Sequence, residues 1–417
     1  MSGAISVLAN AALAHVGAPE GRVPFVIDGE LRGGGTTWGI VLRDGDVWMR
    51  VCEEALGGAP AFHYRRPSTG RVLIGRADGL WSTEDGCTLE PGAAELLDGQ
   101  PSLVAVPPGQ PGRLFVSTGH SDRVNTLYQS DDEGLTFTPT AFRDLPYASR
   151  TLAVSDDGSA LYLGVVGFDD RMPAVFVSRD GGQSFVERQP WSSDVVVVSV
   201  LGVDPVTDAV ALALLDGTTG GSTLVLADAD LLTLTELHRF DGIASDFLAL
   251  DDAWLVIEDR QRLWYRSRSA GSFAEVSDGP SRCLLRMPGE AGVWGCGQPV
   301  QGGHFLFSED GLAWRAEIPF LEVEERRCPE GTEGAERCAY LFEVPGPATG
   351  ADAGPTADGR PLPPRRPTES ASGGLSCSGG NSHGGAQPSG WLWLALPALA
   401  LRRWTPRRRG AKGPPAP

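Results

Sequence analysis

The stretch Ser130-Asp-Asp132-Glu-Gly134-Leu-Thr136-Phe137 recurs twice in the chain with few changes. The other copies are Ser178-Arg-Asp180-Gly-Gly182-Gln-Ser184-Phe185 and Ser82-Thr-Glu-Asp-Gly86-Cys-Thr88-Leu89, the latter with Glu84 at the Asp position and Leu89 at the aromatic position. An Asp carboxylate can accept hydrogen bonds from the amides of a turn, and a Gly permits a positive φ there. The aromatic side chain can be buried between neighbouring sheets. The pattern therefore predicts a turn whose Ser, Asp and Gly residues are structural.

Four looser copies extend this repeat over most of the chain. They begin at Leu42, Ala227, Ser267 and Ser308, and the last of them contains Asp310 and Gly311. Successive copies start 40 to 49 residues apart, which is the size of a four-stranded propeller blade. A single blade has unpaired edges and uncovered faces, so blades must stack in a ring. We predict an all-β chain in which residues 23–343 form one seven-bladed β-propeller of four-stranded antiparallel blades.

The repeat resembles the Asp-box, or BNR repeat, of sialidases and many other propellers. The resemblance implies that each turn joins the third and fourth strands of a blade, away from the mouth at which ligands bind. The carboxylates of Asp132, Asp180 and Asp310 are accordingly expected to stabilise turns rather than to act in catalysis.

Composition excludes some classes of partner. The chain of 417 residues carries a formal net charge of −18, so nucleic acid and anionic lipid surfaces are unfavourable ligands. Hydrophobic residues make up 41% of it, enough for a large buried core. Its 55 Gly and 32 Pro suit many short strands joined by turns.

Seven cysteines point to an oxidising compartment, since none of them has the spacing of a metal site. An odd number suggests three disulfides and one cysteine with another role. The nearest plausible pairs are Cys52–Cys87, Cys283–Cys296 and Cys328–Cys338, although six cysteines allow other pairings. The seventh, Cys377, lies far along the chain in a region of different composition.

The N-terminal residues have some features of a secretory signal. Residues 4–16 are mostly small and apolar, and Ala12-Leu13-Ala14 fits a small-x-small cleavage site. A signal peptide should begin with a basic region, but no Lys or Arg precedes Arg22. Our hypothesis is that the given start lies inside a longer signal whose basic end is missing. Residues 1–22 are thus expected to be a signal peptide and lead-in, and the alternative is a disordered N-terminus.

The C-terminal residues divide into a spacer and a tail. Residues 344–390 are dominated by Pro, Gly, Ala and Ser and contain Cys377, so they are expected to form a flexible spacer. Residues 391–417 begin with an apolar run of 11 residues, Trp391 to Leu401, and continue with an arginine cluster. That run is shorter than the ~20 residues of a stable membrane span.

Cysteine, spacer, apolar run and arginines together resemble the myxobacterial C-terminal sorting signal of the MYXO-CTERM type. The resemblance implies that an intramembrane rhomboid-like protease removes the tail and that Cys377 is needed for processing and surface attachment. The tail would contact the membrane only transiently, leaving the propeller at the cell surface or released. The alternative is an interfacial anchor that is never cleaved.

Signs of catalysis are few. Arg22-Val23-Pro24 is similar to the motif around the first carboxylate-binding arginine of sialidases, but no other catalytic position of that family is matched. The six histidines are isolated, and no metal or cofactor motif is present. The sequence therefore favours an exported surface propeller without a cofactor, which binds a glycan or protein ligand or serves a structural role. The alternative is a sialidase-like glycoside hydrolase.

Overall fold

The computed structural model describes residues 21–27, 30–37, 39–58, 60–96, 99–120, 124–169, 171–286, 292–298, 303–319, 322–332 and 334–338. The expected signal peptide (except residues 21 and 22), the spacer with Cys377 and the sorting tail lie outside these residues.

Seven antiparallel sheets, each of four consecutive strands, follow one another along the chain. Blades 1 to 3 comprise β1 (Gly21–Ile27), β2 (Glu30–Thr36), β3 (Gly39–Asp44) and β4 (Val47–Cys52); β5 (Phe62–Arg65), β6 (Val72–Arg76), β7 (Gly79–Thr83) and β8 (Glu90–Pro91); and β9 (Pro101–Ala105), β10 (Leu114–Thr118), β11 (Leu127–Ser130) and β12 (Thr138–Pro139). Two short 3-10 helices, Glu53–Leu56 and Ala94–Leu96, lie in the connections that follow blades 1 and 2.

The remaining strands form four further blades and one additional strand. Blades 4 to 7 comprise β13 (Tyr147–Val154), β14 (Leu161–Gly167), β15 (Pro173–Ser178) and β16 (Val186–Arg188); β17 (Val195–Val203), β18 (Val210–Asp216), β19 (Ser222–Ala227) and β20 (Leu234–Phe240); β21 (Ala244–Ala249), β22 (Ala253–Glu258), β23 (Arg262–Ser267) and β24 (Ala274–Val276); and β25 (Cys283–Leu285), β26 (Val293–Cys296), β27 (Gly303–Ser308) and β28 (Arg315–Pro319). The last strand, β29 (Val323–Glu325), joins the sheet of blade 1.

The first strands of the seven blades contact one another in a closed cycle, from β1 through β5, β9, β13, β17, β21 and β25 back to β1. These strands are therefore innermost and surround a central channel, and the chain is a seven-bladed β-propeller, as the repeat predicts. Each blade is an antiparallel meander, so its connections alternate between two faces. The top face carries the connections between blades and the turns between second and third strands. The box face carries the other turns.

The core lies between blades, where the facing sides of adjacent sheets bury apolar side chains. Between blades 3 and 4, for example, Phe115, Phe142 and Leu163 are fully buried together. The aromatic residues of the repeat join these layers: Phe137 is buried between blades 2 and 3, and Phe273 between blades 5 and 6. Burial of such rings between sheets explains why the repeat ends in an aromatic residue.

Blade 1 packs closely against both of its neighbours because β2 contains three consecutive glycines. A Cβ on Gly34 would lie 2.1 Å from the ring of Phe305 in blade 7. A Cβ on Gly35 would lie 2.3 Å from Nδ1 of His63 in blade 2. The rings of Phe305 and His63 therefore occupy space that any side chain larger than that of glycine would fill at positions 34 and 35.

All seven copies of the repeat lie between the third and fourth strands of their blades. In the two strictest, the hydrogen bonds are equivalent. Ser130 Oγ accepts from the amide of Gly134 (2.8 Å), and Asp132 Oδ1 accepts from the amide of Thr136 (2.9 Å). Ser178 and Asp180 make the same bonds with Gly182 and Ser184. Gly134 and Gly182 have φ of 79° and 92°, which explains the Gly in the pattern.

The copy in blade 2 departs from the alignment that the sequence suggests. Its hydrogen-bonding side chains are Thr83 and Asp85, not Ser82 and Glu84. Thr83 Oγ1 accepts from the amide of Gly86 (2.8 Å), and Asp85 Oδ1 accepts from the amide of Cys87 (2.8 Å). This turn is one residue shorter than the strict copies, so Ser82 remains inside β7, where it is buried.

The Ser308 copy in blade 7 has the same short form as that of blade 2. The amide of Gly311 donates to Ser308 Oγ (2.9 Å), and the amide of Leu312 donates to Asp310 Oδ1 (2.8 Å). Asp310 therefore stabilises its turn, in keeping with a structural role.

Residues 322–338 return from blade 7 to blades 1 and 2, and we term them the clasp. Within the clasp, β29 pairs in parallel with β4, the outermost strand of blade 1. Beyond it, Cys328 is bridged to Cys87 and Cys338 to Cys52, with Cα separations of 5.4 and 6.2 Å. Gly334 lies between the bridges, and a Cβ there would be 2.8 Å from Cys328 Sγ. The clasp thus joins the end of the ring covalently to its beginning.

Two of the three expected disulfides are wrong. Cys52 is not bridged to Cys87, nor Cys328 to Cys338, because the clasp runs alongside both early blades and brings one of its cysteines to each. The third bridge joins Cys283 to Cys296 across the first two strands of blade 7, the pair expected from the sequence. Three disulfides indicate an oxidising environment for the folded protein.

Candidate ligand-binding site at the channel mouth

The innermost strands carry β-bulges close to the top face. In five of them one extra residue interrupts the pairing with the second strand. These residues are Arg22 in β1, Ser102 in β9, Arg150 in β13, Val196 in β17 and Ser245 in β21. A bulge re-aims the side chain of its extra residue. In a regular innermost strand, successive side chains point alternately toward the two neighbouring blades. The bulges interrupt this alternation at the channel mouth on the top face.

Arg150 is the charged residue that this arrangement isolates most completely. Its neighbours are turned toward the adjacent blades: Ser149 Oγ accepts from Ser117 Oγ of blade 3 (2.7 Å), and Thr151 Oγ1 accepts from the amide of Val200 of blade 5 (2.9 Å). Arg150 is the extra residue of the bulge between them, and we infer that its side chain is directed into the channel. Its guanidinium is half-buried and makes no hydrogen bond or ion pair with any described residue.

A second arginine lies beside Arg150 on the same blade. Arg171 is exposed in the turn between β14 and β15 on the top face, with a φ of 58°. Within the described part of the chain it also makes no hydrogen bond or ion pair. Burial lowers the pKa of Arg150, and repulsion from Arg171 lowers it further. Two unneutralised cations thus lie together at the mouth.

Three aliphatic side chains are exposed on the same face as these arginines. The exposed fractions are 48% for Val124 in blade 3, 37% for Met172 in blade 4 and 46% for Val196 in blade 5. All three lie at the top face, on consecutive blades. Exposed apolar groups that share one face with unneutralised cations make this face a candidate binding surface.

Asn125, next to Val124, fixes the backbone at this position. The Asn125 amide nitrogen donates to the carbonyl oxygens of His120 (2.8 Å) and Tyr147 (2.7 Å), and its Oδ1 accepts from the amide of His120. Tyr147 belongs to β13, so the bonds tie this position to the strand that carries Arg150. This side of the mouth is therefore preformed.

Asp246 is the only carboxylate on the seven innermost strands as the structure describes them. It is half-buried and accepts hydrogen bonds from the amides of Phe247 and Leu284, both at 2.8 Å. Leu284 belongs to blade 7, so the carboxylate links two blades. Burial raises the pKa of Asp246 to about 7, against the opposing effect of the two amides. Such a group changes charge near neutral pH.

Arg22 and His63 lie on the first two innermost strands. Arg22 Nη1 donates to the carbonyl oxygen of Pro60 (2.9 Å), so this guanidinium bonds to the chain itself. His63 is 2% exposed, and burial, then the charge of Arg22, lowers its pKa to about 3. Its ring is neutral and packs against Gly35, which makes it part of the contact between blades.

The acids of the repeat lie on the box face, opposite this mouth. Hydrogen bonds from Ser184 and then Ser178 lower the pKa of Asp180 to about 2. A carboxyl group with such a low pKa is ionised at neutral pH, so it is a poor proton donor there. Their position and their bonds agree with a structural role for Asp132, Asp180 and Asp310.

Sequence reasoning missed Arg150, Arg171 and Asp246. No sequence motif surrounds any of the three residues. Only the bulges and the closure of the ring bring them to the same face. Within the described residues, no group of three or more His, Cys, Asp or Glu could hold a metal ion. Nor is any helix of that part of the chain long and apolar enough to cross a membrane.

Comparison with known proteins gives the fold alone. No family model matches the chain, and no curated protein matches it. Similar solved structures include YCF48 bound to a D1 peptide, at 15% identity and a TM-score of 0.44, covering 64% of this chain and 84% of that one. Another is the GH74 xyloglucanase of Xanthomonas campestris, at 12% identity and a TM-score of 0.46, covering 70% and 52%. The likeness is one of architecture.

A third similar structure is PorZ, described as a bacterial surface component of the type-IX secretion system of Porphyromonas gingivalis. It is 10% identical, with a TM-score of 0.42, and the match covers 72% of this chain and 38% of that one. At these identities the ligands and activities of the three proteins do not transfer to this chain.

Proposed function

We propose that this chain is an exported β-propeller that binds a glycan or protein ligand at the channel mouth of its top face. The observation that carries the proposal is the half-buried, unneutralised guanidinium of Arg150 beside exposed aliphatic residues on a preformed rim. Ligand sites commonly combine apolar surface with a few convergent polar groups.

Export is supported by the three disulfides and by the sequence of both ends. We propose that the Asp-box repeat, the N-terminal signal and the MYXO-CTERM-type tail act together. The tail would be cut by a sorting protease near Cys377 and would leave the propeller at the cell surface or released. C-terminal peptide mass spectrometry of surface protein tests this proposal, since intact Trp404 to Pro417 on displayed protein would contradict it.

A sialidase-like glycoside hydrolase is the second candidate, and the raised pKa of Asp246 is what favours it. A sialidase, however, needs a tyrosine nucleophile paired with a glutamate in addition to its acid/base aspartate. Among the described residues, the innermost strands carry no glutamate, and their one carboxylate, that of Asp246, already accepts hydrogen bonds from two amides. Arg22, the one residue with a sialidase-like motif, bonds to the chain at Pro60. The binding function therefore has the stronger support.

Two valines of matched exposure allow the site to be tested. Val196 at the mouth and Val186 on the outer strand of blade 4 are 46% and 47% exposed. The full chain would be applied to a printed glycan array and to a phage-displayed random peptide library. We expect Val196→Trp to abolish the binding of enriched ligands and Val186→Trp to leave it unchanged.

Two outcomes would refute these proposals. Equal binding by both tryptophan variants, or no ligand from either collection, would contradict a site at the mouth. Hydrolysis of a fluorogenic sialoside that is lost in Asp246→Asn would instead support the enzyme.

A further inference from the structure

The two arginines at the mouth are costly in the free protein. A half-buried cation without a counter-ion loses hydration and gains nothing in return, and a second cation nearby adds repulsion. Several other arginines in the described part of the chain are neutralised, such as Arg239, which pairs with Glu236 at 2.9 Å, and Arg286, which pairs with Asp251 at 2.9 Å. Although the chain has a net charge of −18, these two neighbouring cations make no ion pair with any residue that the structure describes.

We infer that the channel mouth binds an acidic, aliphatic peptide segment of a partner protein, with Arg150 and Arg171 pairing with its carboxylates. This inference rests on the proposed binding function and names its ligand class. Carboxylates suit the site because a guanidinium can donate two parallel hydrogen bonds to one carboxylate. Binding would neutralise both cations and remove their mutual repulsion.

The rim around the arginines selects a peptide rather than a sugar acid. Val124, Met172 and Val196 offer aliphatic surface, which leucine, isoleucine, valine or methionine side chains of a peptide would bury. A polar sugar ring would remove little apolar surface from water there. An extended segment with alternating acidic and aliphatic residues would satisfy both the cations and the rim.

Asp246 does not neutralise the arginines. It lies on blade 6, two blades away from the strand of Arg150, and its oxygens accept amides of blades 6 and 7. Among the charged groups that act on Arg150, Arg171 is the one that shifts its pKa. The acidic ligand therefore meets its counter-charges on the side of blades 3 to 5, where the aliphatic rim also lies.

The experiment begins with a phage-displayed random peptide library panned against the full chain. We expect the enriched peptides to combine Asp or Glu with Leu, Ile, Val or Met. A fluorescein-labelled enriched peptide is then titrated, with fluorescence anisotropy as the readout, against the wild type and four variants. The variants are Arg150→Ala, Arg150→Lys, Arg171→Ala and the control Arg239→Ala on the outer strand of blade 5.

Loss of a charge-assisted hydrogen bond weakens binding by about 10- to 100-fold. We expect that loss for Arg150→Ala, a smaller one for Arg150→Lys and Arg171→Ala, and none for Arg239→Ala. Replacing the acids of the peptide by their amides should weaken binding to the wild type to the same extent. Thermal unfolding separates a binding role from a structural one, because Arg150→Ala should not lower the midpoint.

Each contrary outcome has a defined meaning. Acidic peptides that bind Arg150→Ala and Arg171→Ala as tightly as the wild type would overturn the inference. Neutral peptides whose binding is lost in Val196→Trp would overturn it as well but leave the proposed function standing. Binding of oligogalacturonate that depends on Arg150, without any acidic peptide, would replace the peptide by a sugar acid. If neither peptides nor glycans bind, the proposed function fails, and the inference fails with it.

Discussion

The two disulfides of the clasp should stabilise the ring redundantly rather than additively. Cys52–Cys338 spans a sequence separation of 286 and Cys87–Cys328 one of 241, and the second lies inside the first. In the chain-entropy model either bridge alone would stabilise the fold by about 5–6 kcal/mol. When one is already present, the other closes only the two short segments between their ends. That smaller loop corresponds to about 4 kcal/mol.

The expected series of variants follows from this nesting. Replacing one bridge of the clasp by two alanines should cost about 4 kcal/mol, and replacing both should cost about 9–10 kcal/mol. The second removal is therefore more costly than the first, whichever bridge is removed first. Cys283–Cys296, with a sequence separation of 13, is the control. Its loss should cost about 3 kcal/mol in either background.

Urea unfolding under non-reducing conditions measures these differences through the midpoint and the slope. All substitutions are to alanine, so the loss of buried sulfur is the same kind of change in each bridge. If the two single-bridge losses sum to the loss of the double removal, nested loop closure is the wrong explanation. A loss confined to one bridge would show that packing of the clasp, rather than chain entropy, dominates.

Three further outcomes follow from buried groups. Asp204 is fully buried and accepts two 2.7 Å hydrogen bonds from Arg268, so Asp204→Ala should cost about 3–5 kcal/mol in urea unfolding. Burial alone would raise the pKa of Asp204, but the hydrogen bonds from Arg268 hold that pKa below its ordinary value. The stabilisation by Asp204 should therefore be present at neutral pH and disappear as the pH falls through the lowered pKa. Asp246 has the opposite effect on the pH dependence of stability, because its pKa in the folded state is raised to about 7. The folded state retains a proton that the unfolded state releases above about pH 4, so the free energy of unfolding falls between pH 4 and 7. Asp246→Asn should therefore unfold at a higher temperature than the wild type at pH 8 but not at pH 4. Gly34→Ala should cost about 1–3 kcal/mol, since its Cβ would lie 2.1 Å from an aromatic ring, whereas Gly271→Ala, with nothing within 4 Å, should be neutral in the same assay.

The number of blades and the nature of their turns follow from the amino-acid sequence alone. The hydrogen bonds of the repeat form within a few consecutive residues, as between Asp132 and Thr136, so a local pattern is sufficient to predict them. Its regular spacing then requires a ring, because a lone blade cannot cover its own faces. Even so, the predicted alignment of the blade 2 copy is wrong by one residue, since adjacent Ser82 and Thr83 both suit the pattern.

The disulfides of the clasp and the candidate site depend on contacts between distant parts of the chain. Cys52 and Cys338 come together only after all seven blades have closed, and nothing within either segment encodes that proximity. Arg150 is an ordinary strand residue in the sequence. A one-residue bulge, visible only when β13 is paired with β14, sets it apart from the regular alternation of that strand. Short-range hydrogen bonding is written in neighbouring residues, whereas contacts across a ring depend on how every blade packs on the next.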